Sequence, residues 1–133
     1  MREIEGVFVF RIPEGKDLIK EIEKFASEND IKCGEVKVIG ALKNARIGYY
    51  DPKMKKYIEM DVDEQVELLS AMGNISLKEG KVFLHLHAVL GKRDFSVVGG
   101  HLIKGEVFVA EVIIQKFSGK LERKLSSSGL FLF

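Results

Sequence analysis

The stretch VFLHLHAVL, residues 82–90, is apolar and has strand character, and its reading decides the architecture. Period-two geometry puts His85 and His87 on one face of that strand and Leu84, Leu86 and Ala88 on the other. Turn residues flank it on both sides. Lys78-Glu79-Gly80-Lys81 reads as a hairpin leading back to a long apolar run, Gln65–Leu77, with a bend expected at Gly73. On the other side a polar loop, Gly91–Asp94, leads to Ser96–His101.

Strand patterns continue outward. Glu106–Phe117 and a segment around Leu121–Leu125 follow. Upstream lie Glu35–Leu42, Ala45–Tyr50 and, after a turn at Asp51-Pro52-Lys53, Lys56–Val62. EIEGVFVFRI (3–12) carries apolar side chains on both parities, so a strand with both faces partly covered is expected, stopped by Pro13-Glu14-Gly15. Between these strands, residues 16–29 place Leu18, Ile19, Ile22, Phe25 and Ala26 at helical spacing, with Asp17 suited to the positive end of the helix dipole. The expected fold is α+β: a mostly antiparallel sheet around one principal helix. The tail SSSGLFLF (126–133) is apolar at its end. It is expected to add a strand to its own sheet or to dock on a neighbouring subunit.

At 133 residues the chain is expected to be one domain, residues 1–133. The net charge of +1 gives no electrostatic footprint of nucleic-acid binding for the chain as a whole. No stretch approaches the roughly 18 apolar residues of a membrane span. Cys33 has no second cysteine to pair with, and the first residues are charged where a signal peptide needs an apolar run. A cytoplasmic protein is therefore expected.

All three histidines fall between residues 85 and 101. Imidazole is a good neutral donor for zinc, and His-X-His on a strand offers two ligands on one face. His101 follows Gly99-Gly100 and reaches the same face if its strand pairs with Val82–Leu90; the glycines would allow close approach. Three such ligands leave a further position for water, an anion or a substrate, as in catalytic zinc sites. Two other readings stay open: hydrogen-bonded core imidazoles, or a polar cluster at a subunit interface. The cupin pattern is not met, because Leu90, Gly91 and Lys92 stand where its glutamate is needed.

Glu111 interrupts VFVAEVII, and Glu67 interrupts QVELLS. Each is a candidate to hold an imidazole or to act as general acid or base, or else a solvated residue of an outer face. Cys33 precedes a strand with no histidine or basic cluster nearby, so a nucleophile role is not expected of it. Lys53, Lys55 and Lys56, close to Tyr50 and Tyr57, form a small basic cluster that could touch phosphate or simply be a solvated hairpin tip.

Five blocks taken in order, GALKNARIGYYD (40–51), VELLSAMGNIS (66–76), FLHLHAVLG (83–91), VVGGHL (97–102) and VFVAEVII (107–114), closely resemble the plant and prokaryote conserved (PPC) domain. The resemblance implies an antiparallel sheet wrapped on one helix, a homotrimer, and a fold similar to acetolactate decarboxylase, an enzyme with a three-histidine zinc site. It also implies a metal at His85, His87 and His101 in some members, and carries a family label of predicted DNA-binding protein. Two functions follow: a homotrimeric metal-binding protein, DNA-associated or regulatory, or a zinc enzyme acting on a small carbonyl or carboxylic acid substrate. Plant members contact DNA through an Arg-Gly-Arg hook, which this chain lacks. They bind partner proteins through a Gly-Arg-Phe-Glu-Ile-Leu segment, where this chain has Glu64-Gln65-Val66-Glu67-Leu68-Leu69.

Overall fold

The computed structural model describes residues 1–133. In chain order it contains β1 (Ile4–Ile12), α1 (Leu18–Glu28), β2 (Gly34–Asp51), β3 (Lys56–Val62), β4 (Val66–Lys78), β5 (Lys81–Gly91), β6 (Val97–Phe117), β7 (Glu122–Leu125) and β8 (Phe131–Leu132). The expected α+β fold is what forms: one helix and a mostly antiparallel sheet.

The sheet closes on itself. The first half of β2 pairs with β4 on one side and β6 on the other, and β5 joins β4 to β6. β3 extends the second half of β2, and β1 runs along the end of β6. The single parallel pairing is β4 with β7. β5 and β6 pair only from His87↔His101 to Gly91↔Val97 and then splay apart. The helix fills that opening. Its Leu18, Ile22 and Ala26 are buried in the same cluster as Leu84, Leu86 and Val107. Glu23 Oε2 accepts the Leu84 amide at 3.0 Å, satisfying a strand edge that has no neighbour.

Asp17 fixes the helix start. Its backbone is extended (φ −79°, ψ 127°), and its carboxylate accepts the Lys20 amide at 3.0 Å and the Gly105 amide at 3.0 Å. One side chain therefore caps α1 and ties it to β6. Phe25 on the helix stacks on Phe10 of β1 with ring centroids 3.9 Å apart.

Four details depart from the sequence reading. Residues 35–42 and 45–50 form one strand, β2, because the irregularities around Leu42 and Asn44 are register shifts against β6 and not a turn. Residues 96–101 and 106–117 likewise merge into β6. In β4 the irregularity against β5 lies between Leu68 and Ser70, not at Gly73. Gly73 instead marks close packing: a side chain there would collide with the His85 carbonyl. β1 buries one face only, since Val7 and Val9 are 56% and 74% exposed while Phe8 and Phe10 pack inward. The tail takes the first of its two expected courses, with β8 pairing back onto β7.

Candidate metal centre

His85 and His87 alternate with the buried Leu84, Leu86 and Ala88, so both imidazoles stand on the outer face of β5. His101 faces His87 across the β5–β6 ladder. The glycines before it serve the close approach expected of them. A side chain at Gly99 would meet the Ala88 carbonyl oxygen at 2.6 Å, and one at Gly100 would meet that of Gly48 at 2.7 Å.

The three side chains converge. One nitrogen from each lies within 4.8 Å of the others, and the Nε2 atoms of His85 and His87 are 3.1 Å apart. That separation is close to the ~3.3 Å between two donors bonded at ~2.05 Å to a tetrahedral ion. Burial pushes the His85 imidazole down to a pKa of about 4, with His87, His101 and Arg123 adding to the shift. Burial also lowers the His101 value, and His87 adds to it. Neutral imidazole is the form that ligates metal. His101 Nδ1 is buried without any hydrogen-bond partner, an orphan of the kind a ligated ion would satisfy. The donor set fits a metal ion.

Tyr57 of β3 covers His101, ring centroid to ring centroid 4.8 Å, and Tyr50 meets Tyr57 at 5.1 Å. Beside His85 opens a cavity of about 360 Å³ whose walls include both tyrosines, Phe83 and Arg123. Arg123 is buried, lying over Ser76 and Asn74 with its Nε 2.6 Å from Ser76 Oγ and its Nη2 2.5 Å from Asn74 Oδ1. Desolvation lowers its pKa, and Tyr57 opposes that shift.

The two glutamates singled out from the sequence stand elsewhere. Glu67 is exposed and pairs with Gly91, four residues along β5 from His87, or ~13 Å at strand rise. Glu111 is exposed and pairs with Ile39 and Arg11, ten residues along β6 from His101. Within one chain neither accompanies the histidines. Of the basic cluster, Lys55 and Lys56 do line the cavity. The sequence reading missed Lys78 and Arg123 of the cavity wall and Asn74 behind it; Arg123 reaches the cavity only through the way the last fifteen residues fold back along β4. The available signal was one arginine in a short apolar-flanked tail strand.

The sequence profile of the Plants and Prokaryotes Conserved (PCC) domain matches residues 1–118. The fold superposes on a plant- and prokaryote-conserved protein of Pyrococcus horikoshii with a TM-score of 0.97 at 40% identity, covering 100% of this chain and 94% of that one. A metal-containing protein of Archaeoglobus fulgidus gives 0.96 at 42% identity, covering 100% and 96%. A proposed DNA-binding protein of Bacteroides thetaiotaomicron gives 0.91 at 28%, covering 98% and 92%. Acetolactate decarboxylase of Bacillus subtilis shares the fold at a TM-score of 0.62 and 13% identity, over 91% of this chain and 57% of the enzyme. The bifunctional protein GlmU of a Synechococcus strain is 28% identical over 84% of this chain, which spans only 18% of that protein's length. Profile and superposition agree with the folded sheet: the chain belongs to the Plants and Prokaryotes Conserved (PCC) domain family.

Proposed function

We propose that this protein is a homotrimeric metal-binding domain in which His85, His87 and His101 hold one divalent ion, zinc by the chemistry of the donors. The observation that carries this reading is the convergence of three imidazoles, one nitrogen of each within 4.8 Å of the others, together with a buried His101 Nδ1 that no hydrogen bond satisfies. The metal-containing relative from Archaeoglobus fulgidus, 42% identical over the whole chain, supports it. Bound zinc with three imidazole ligands keeps a further position open and polarises an oxygen atom held there. Elemental analysis after refolding with zinc tests the proposal: about one ion per chain is expected, and loss of it in His85→Ala. Metal well below that ratio, or unchanged in the variant, overturns it.

The trimer draws support from exposed apolar side chains on neighbouring outer strands, Val9, Ile39, Met72 and Ile113, each between 46% and 74% exposed. These form a face that water alone would leave costly. Cytoplasmic residence is part of the proposal, supported by a single cysteine that is free and buried.

A second reading is a zinc enzyme acting on a small carbonyl or carboxylic acid compound, favoured by the cavity against His85 and His101. Turnover of small keto- or hydroxy-acids by zinc-loaded protein tests it, and inactivity across that set counts against it. Association with DNA rests on the description of the Bacteroides relative. It predicts affinity that falls steeply with salt, and no gel shift at low salt removes it.

A further inference from the structure

The cavity beside His85 has a one-sided charge. Its thirteen lining residues include four cations, Lys55, Lys56, Lys78 and Arg123, and no carboxylate. Arg123 is the most constrained of the four, being 8% exposed. Its guanidinium donates to Ser76 Oγ, to the Phe131 carbonyl oxygen at 3.2 Å and to Asn74 Oδ1. All three acceptors are neutral, and a guanidinium has five N–H groups. Two donors are left over, and no carboxylate balances the charge, which meets only the rings of Phe83 and Phe133, 5.4 and 4.8 Å from Cζ to centroid. Buried charges are ordinarily paired, because desolvating one alone is expensive. Lys78 repeats the pattern: its Nζ lies 4.4 Å from the Phe131 ring centroid and 5.0 Å from that of Phe83, and it is in none of the chain's salt bridges.

A purely architectural arginine would not need this arrangement. Holding two side-chain oxygens and one tail carbonyl requires N–H groups but no charge. The position is also specific. Arg123 donates to Asn74, Asn74 pairs with His85 across the β4–β5 ladder, and Ser76 pairs with Phe83. The unpaired charge therefore stands one residue pair from the imidazole cluster, on the same sheet face. It lies outside residues 1–118 that the family profile matches.

We propose that this cavity binds a small organic anion, with its carboxylate or phosphate head on Arg123 and Lys78 and its body between Tyr57 and Phe83. An oxygen at the far end of the molecule then lies toward the three histidines. A guanidinium fork matches either head group in a bidentate way. A volume of about 360 Å³ suits a compact metabolite rather than a polymer. This inference deepens the metal-site reading and rests on it only for the far oxygen; the anion subsite stands on Arg123 and Lys78 alone.

Calorimetric titration of zinc-loaded and metal-free protein with pyruvate and with inorganic phosphate tests it and distinguishes the two head groups. Saturable binding of at least one probe is expected, at one site per chain. Affinity should fall about tenfold or more in Arg123→Gln and recover in part in Arg123→Lys. Because Arg123 also holds the tail, Lys78→Gln serves as a second variant, with a loss of several-fold and an unchanged thermal midpoint. Arg123-dependent binding in protein that takes up no zinc would leave the anion subsite standing while the metal reading fails. No saturable binding of either probe, or binding untouched by both variants, overturns the proposal. So does Arg123-dependent binding of duplex DNA where neither small probe binds.

Discussion

A buried nitrogen without a hydrogen-bond partner costs about 1–3 kcal/mol, and His101 Nδ1 is such an atom. Folding keeps it because the same geometry brings three imidazoles together. Burial of His85 in the same cluster has a pH signature in metal-free protein. The unfolded chain takes up a proton on His85 near its ordinary value of 6.5, whereas the folded chain does so only near 4. The unfolded state thus binds more protons in that window, and stability falls as pH drops from about 6.5 toward about 4. Denaturant midpoints of metal-free protein at pH 7 and pH 5 should show this loss, and His85→Gln should reduce it. An equal loss in the variant would contradict the assignment. At this scale the sequence was informative where chemistry was local: His-X-His on a strand fixes a shared face. It was silent on Arg123, which reaches the cavity only because β7 lies beside the end of β4.

Among the elements, α1 depends on one carboxylate with two duties. Asp17→Ala removes the cap of Lys20 and leaves the Gly105 amide without its acceptor. A loss of about 1–2 kcal/mol is expected in equilibrium unfolding, and a loss under ~0.3 kcal/mol would show that the cap is dispensable. Gly73→Ala should cost about 1–3 kcal/mol, because the added methyl meets the His85 carbonyl and β4 and β5 must move apart. The same movement shifts His85, so this variant should also bind zinc more weakly than the parent. Strand identity was legible from period-two alternation, and the helix from its spacing. Strand continuity was not. Asn44 and the Ile103–Gly105 segment look like turns in sequence, but in β2 and β6 they are irregularities within a ladder that long-range pairing holds together.

For the molecule as a whole, one chain leaves an apolar face uncovered. Val9 pairs with Ile113, Ile113 with Lys37, Lys37 with Met72, and Met72 with His87. This row runs across five strands and ends at the histidines. β1 is apolar on both parities although its own chain covers one face only, leaving Val7 and Val9 exposed; the proposed trimer would cover the second face. Sedimentation should give a mass of three chains, and Val9→Glu should shift it toward one chain while leaving the fold intact. A monomeric parent protein would contradict the trimer. The same row puts His87 beside that face, so dissociation is expected to weaken zinc binding as well.

His85, His87 and His101 are proposed to hold one metal ion together. Anomalous diffraction recorded at the zinc edge, from crystals of zinc-loaded protein, tests it most directly. One strong peak per chain is expected within bonding distance, about 2.0–2.1 Å, of a nitrogen from each of the three imidazoles. No peak there, or a peak held by other side chains, would contradict it.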